Sequence, residues 1–109
     1  MLDIVPNDLI EKGLWLNDYL GVKEWAWSKE NALKILHLAE QHRYIILGGD
    51  VLRIKEGIPE YTFDNWYIND IVQINDPVEF STEYARNYIN TYCNRNGNGF
   101  MYVLVCQKA

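Results

Sequence analysis

The residue types that carry out chemistry are present in this chain of 109 residues, but their spacing argues against most of the reactions they serve. Gly48-Gly49-Asp50 comes first, because glycines let a backbone close on a phosphate and a carboxylate can hold a cation. No Lys-Ser or Lys-Thr follows as in a phosphate loop, and Val51-Leu52 departs from the signature of nucleotide cyclases that opens Gly-Gly-Asp. A bulge within a strand is the plainer reading. A small-molecule-binding domain or small enzyme using the Gly48-Gly49-Asp50 region is the alternative. His37 and His42 lie five apart, about 140° around a helix, so they do not share a metal as i, i+4 ligands do. Ser28 and Ser81 both stand where helix starts explain them, and no nucleophile elbow surrounds either. Cys93 falls on the apolar stripe of a helix and Cys106 on an apolar strand, which suits inert thiols better than a disulfide or a catalytic pair. Asp64, Asp70 and Asp76 recur at six-residue steps, too wide for a calcium loop. The expectation is a protein that is not an enzyme, with no catalytic residue, no metal site and no cofactor.

The carboxylates are informative in another way. Residues 56–85 contain no Lys, Arg or His, yet hold Glu56, Glu60, Asp64, Asp70, Asp76, Glu79 and Glu83. The formal charge is -5, and outside this block the remaining eight acidic residues face ten basic ones, so the acidity is local. The block also carries Tyr61, Phe63, Trp66, Tyr67, Phe80 and Tyr84, the kind of large side chain that anchors interfaces. Charge runs are often only solvated faces, but this mixture of rings and carboxylates reads as a surface for a positively charged partner. The expected partner-binding residues are Glu60, Tyr61, Asp64, Trp66, Asp70, Asp76 and Glu79, with Trp66 and Tyr61 as apolar anchors, although the core has an equal claim on Trp66. A homodimer in which a second copy covers the same face is a further option. The acidic balance disfavours nucleic acid and anionic membranes as partners, because phosphates need Lys and Arg to replace their counterions. No signal peptide and no long apolar span is visible, so a cytoplasmic protein is expected.

Hydrophobic periodicity indicates the elements that position these residues. Pro6 to Gly13 suits one or two helical turns, and Leu14 to Trp27 carries aromatics without a clean period, as a loop packed by its rings does. From Ser28 the apolar positions Ala32, Ile35, Leu36 and Ala39 predict a helix reaching about His42. Tyr44 to Ile54 reads as a strand bent at its glycines, Glu56-Gly57-Ile58-Pro59 as a turn, and Tyr61 to Ile68 as the returning strand of a hairpin. Asn75-Asp76-Pro77 opens a second helix whose stripe includes Ser81, Tyr84, Ala85, Tyr88, Ile89, Tyr92 and Cys93. Phe100 to Cys106, apolar on both faces, belongs in the middle of a sheet. The order implies an α+β fold, with a small antiparallel or mixed sheet of about three to four strands packed against two main helices. One domain spans 1–109, with an N-terminal segment 1–27 and a core 28–109.

Trp27-Ser-Lys-Glu-Asn-Ala-Leu33, Ile46-Leu-Gly-Gly-Asp-Val51, Tyr61-Thr-Phe-Asp-Asn-Trp-Tyr67 and Tyr102-Val-Leu-Val105 together resemble the immunity protein 40 family of bacterial polymorphic toxin systems. The likeness covers roughly residues 25–106. It implies a small cytoplasmic α+β protein that binds and neutralises a cognate toxin domain, with no catalytic residue of its own. It also gives the acidic block a purpose, since toxin sites that handle nucleic acid are often basic.

Overall fold

The computed structural model describes residues 2–109, the side chain of Val72 excepted. A 3₁₀ turn at Leu2–Ile4 and a single helical turn, α1 (Asn7–Ile10), lead into β1 (Leu14–Trp15), a second helical turn α2 (Asn17–Leu20), and β2 (Trp25–Ser28). The long elements follow: α3 (Lys29–Gln41), β3 (Tyr44–Lys55), β4 (Ile58–Tyr67), a 3₁₀ turn at Ile71–Gln73, α4 (Pro77–Asn96) and β5 (Phe100–Lys108). All strand pairs are antiparallel, in the order β1-β2-β5-β3-β4. The fold is therefore α+β, as expected, and β5 lies in the interior of the sheet.

The sheet has five strands rather than three or four, and four helices rather than two main ones alone. The difference lies in the stretch from Leu14 to Trp27, expected to be a loop. Its strands are two and four residues long, too short for alternation to register in the sequence. The aromatics there form a ladder across the pairing instead, with Trp15 and Trp25 centroids 5.2 Å apart and Trp25 stacked on Trp27 at 5.8 Å.

Helices α3 and α4 cover one face of the sheet. Ala32, Ile35, Leu36 and Ala39 of α3, with Ala85 and Ile89 of α4, pack on Trp27, Ile46, Val51, Trp66 and Tyr102. The helix starts are fixed locally. Ser28 Oγ accepts from the Asn31 N–H at 3.3 Å, and Asp76 accepts from the Glu79 N–H at 3.2 Å with Pro77 next in the chain. The opposite face is covered in two parts. Leu16, with Leu20 and Val22, packs over Ala26, Leu52 and Val103, while Ile68, Ile71 and Ile74 pack with Ile45 and Leu47.

Ser81, at the centre of the α4–β3 contact, is fully buried and serves the backbone. Its Oγ accepts from the Ile46 N–H at 2.9 Å and donates to the Val78 carbonyl at 3.2 Å. That bond satisfies an amide at the place where β3 shifts register against β5, between Ile46 and Gly48. Ser81→Ala removes the acceptor and leaves a buried N–H unpaired. Urea denaturation should show a loss of about 1–3 kcal/mol.

Candidate functional site

Gly48-Gly49-Asp50 is a packing device at the centre of β3. A Cβ on Gly48 would overlap the Trp66 carbonyl oxygen, and one on Gly49 would overlap both the Val103 carbonyl oxygen and the Trp66 ring. Only glycine lets β4 and β5 approach β3 this closely and lets an indole lie across it. The alternation of β3 also slips here, so that Val51 faces the helices while Asp50 and Leu52 belong to the opposite side.

Trp66 is consequently a core residue. It is 5% exposed, and its ring packs on Tyr88 at 4.7 Å, so it is not the exposed anchor that its acidic neighbours suggest in the sequence. The exposed rings on β4 are Tyr61, Phe63 and Tyr67, at 42%, 85% and 68%. A bulge accounts for this exchange. Between the paired residues Asp50↔Asn65 and Leu52↔Tyr61, β3 has Val51 alone, whereas β4 has Thr62, Phe63 and Asp64. Thr62 holds the bulge from within: its Oγ1 donates to the Val51 carbonyl at 2.8 Å and accepts from the Asp64 N–H at 3.0 Å. Phe63 sits at its tip with φ +67°, a backbone conformation disfavoured for a bulky side chain. The sequence signal for this was weak, because Tyr61 to Tyr67 reads as plain alternation.

The seven carboxylates of the acidic block are all exposed, but they are not equally free. Asp64 accepts from the Tyr92 hydroxyl at 2.8 Å, Asp76 pairs with Arg43 at 3.6 Å in addition to capping α4, and Glu83 pairs with Arg86. Glu60, Asp70 and Glu79 form no ion pair among the described residues. Glu60 and Tyr61 lie on β4 near the hairpin turn, whose Glu56 and Gly57 both have positive φ, and Asp70 lies beyond the other end of the strand. Asp76 and Glu79 begin α4, where Phe80 and Tyr84 are also exposed. Phe80 and Tyr84 touch at 6.2 Å, as do Tyr61 and Phe63 at 6.1 Å. Tyr84, expected on the buried stripe of the second helix, faces solvent instead, and Val78 and Thr82 take buried positions there.

The other sequence candidates have structural roles or lie apart from this surface. His37 and His42 are exposed on and after α3. Cys93 and Cys106 are both free thiols, and burial pushes the Cys106 thiol up to about 12, so it stays protonated. Among the described residues no group of three or more His, Cys, Asp or Glu side chains is arranged to hold a metal, and no helix is long and apolar enough to cross a membrane.

Asp50 was not among the expected contacts, yet it is the most unusual carboxylate. It is half-buried, forms no hydrogen bond or ion pair among the described residues, and burial raises its carboxyl above the ordinary 3.8. Glu24 is raised above its ordinary 4.5 as well, first by burial and then by the charge of Asp50.

Sequence comparison adds a relationship to this geometry. The immunity protein 40 family matches residues 16–106, from the residue after β1 through most of β5. The chain belongs to that family. The match begins well before the resemblance noted at residue 25 and takes in α2 and β2, so the family's shared region includes most of the N-terminal cover on the sheet. Membership points to a toxin-neutralising role. No curated protein and no solved structure matches the chain significantly.

Raised carboxyls have a definite effect on stability. The folded chain holds the protons of Asp50 and Glu24 more tightly than the unfolded chain, so their contribution is most favourable below the ordinary values of 3.8 and 4.5. It is lost as pH rises through the raised values. Asp50→Asn should therefore melt about 2 °C above the parent near neutral pH and together with it near pH 3, in thermal unfolding followed at both pH values.

Proposed function

We propose that this chain neutralises a protein toxin in the bacterial cytoplasm by docking β4 and the first turns of α4 on a basic toxin surface. Phe63 is the principal apolar anchor in this reading. The observation that carries it is the combination of 85% exposure with φ +67° at a bulky aromatic residue. A ring left exposed gains nothing on folding, and a left-handed backbone at a bulky residue costs free energy. A hydrophobic socket on a partner makes use of both.

Tyr61 supplies a second ring beside Phe63, and Trp66 supports the strand from beneath. Glu60, Asp64, Asp70, Asp76 and Glu79 provide the negative field along the same strand and the helix start. Such a field steers a basic partner, with association reaching about 10⁸ to 10⁹ M⁻¹s⁻¹ in favourable cases, while buried aromatics set how slowly the complex separates. Occlusion of a toxin requires no catalysis by the inhibitor.

The test begins with co-purification of the chain with the toxin domain encoded beside its gene. Phe63→Asn, which suits positive φ, should fold at least as stably as the parent and weaken the complex about 100-fold, chiefly through faster dissociation. Glu60→Lys with Asp70→Lys should slow association about tenfold and flatten its salt dependence. A complex indifferent to Phe63→Asn would remove β4 from the interface.

A further inference from the structure

Asp50 and Asn65, cross-strand partners on β3 and β4, line two adjoining cavities. One, about 230 Å³, is walled by Leu47, Tyr67 and Val105, and lies between the N-terminal cover and the Ile68–Ile74 cover on the sheet face away from the long helices. The other, about 250 Å³, is walled by Val51, Tyr61, Phe63 and the Asp64 carboxylate at the bulge. Together they form a trough with largely aliphatic and aromatic walls, the Asp50 carboxylate in its floor and Asp64 in one wall. Among the described residues the Asp50 carboxylate forms no hydrogen bond or ion pair, and Glu24 adds a further negative charge close by.

We infer that this trough seats an arginine side chain of the partner protein, the guanidinium on Asp50 and the stem or plane of the side chain against the tyrosine rings. The inference rests on the reading above, that a protein docks on the β4 side, and specifies what that protein inserts. Charge decides the sign of the ligand: Asp50 and Asp64 line the trough and Glu24 lies close by, and among the described residues none of the three is bonded to a cationic side chain. Wall chemistry decides its shape. Apolar walls around an anionic floor suit a long side chain that carries charge only at its end. Between the two such residues, a guanidinium stacks on aromatic faces, sheds water more readily than an ammonium and offers a carboxylate two parallel bonds. Asn65 adds an amide oxygen that can accept from the same donor fork. A divalent cation fits less well, since among the described residues no group of three or more Asp, Glu, His or Cys side chains is arranged to hold one.

The test uses the isolated protein and small probes. In a ¹H–¹⁵N NMR titration, N-acetyl-arginine amide at millimolar concentrations should shift the Gly49, Asp50 and Asn65 amide signals saturably. N-acetyl-citrulline amide, the neutral isostere, should bind at least about tenfold more weakly, as expected when a charge-assisted bond is lost. Asp50→Asn should abolish the arginine response while melting no lower than the parent near neutral pH. Equal shifts from both probes, an undiminished response in Asp50→Asn, or a lower melting temperature for that variant would overturn the assignment. So would shifts at Asp50 and Glu24 on adding calcium or magnesium without any response to arginine. With the toxin domain, Phe63→Asn and Asp50→Asn separate the two readings: loss of affinity in the first alone keeps the docking surface and rejects the arginine seat. Loss in neither rejects both.

Discussion

The centre of β3 is crowded from both sides, and much of the molecule follows from how that crowding is relieved. At Gly48 and Gly49 the backbone lies against the Trp66 carbonyl on β4 and the Val103 carbonyl on β5, with the indole of Trp66 across it. No side chain fits. The strand passes through by changing register twice, once against β5 after Ile46 and once against β4 after Asp50. Ser81 satisfies the amide beside the first shift from α4, and Thr62 ties down the second from β4. The hydrogen bonds that a regular ladder would have made are thus replaced by hydroxyls from two other elements.

This arrangement separates inward-packed from outward-facing residues along one strand. Trp66 goes inward to occupy the space that the glycines leave, joining Tyr88 in the core. The residues displaced outward by the bulge, with Phe63 foremost, have little part in holding the sheet together. Asp50 is turned to the face that the long helices do not cover, where it lines a trough with Asn65 and the surrounding rings. The bulge has a further effect on the open edge of β4. It breaks that edge into two short runs, and together with Glu60 and Pro59 this limits continuous pairing with another strand.

Sequence alone revealed the parts governed by local rules. The helix from Ser28 to His42 was legible because its cap and its buried positions Ala32, Ile35, Leu36 and Ala39 obey a simple period, and each of those four is fully buried. The interior place of β5 followed from its two apolar faces, and the glycine-bent β3 from its composition. The strands β1 and β2 were hidden because they are too short to show a period, and their tryptophans pack across the sheet edge. The acidic neighbours of Trp66 suggest an interface anchor while its type suits the core equally, and the choice is decided by Gly49, seventeen residues earlier in the sequence. Asp50 was read with its glycines as one motif, whereas the chain uses the glycines for packing and the carboxylate for a different face. For Trp66 and Asp50 the deciding neighbours, Gly49 and Asn65, stand seventeen and fifteen residues away on another strand, where a local pattern does not reach.

The way Thr62 pins the bulge also bears on how such a protein can diversify. The register of β4 is set by backbone pairing and by one hydroxyl, while the side chains at Glu60, Tyr61, Phe63 and Tyr67 project away from the core. Those four positions can change identity without altering the packing beneath them. On the docking surface proposed above, drift at a few outward-facing sites would therefore rewrite which adversary is recognised while the scaffold stays intact.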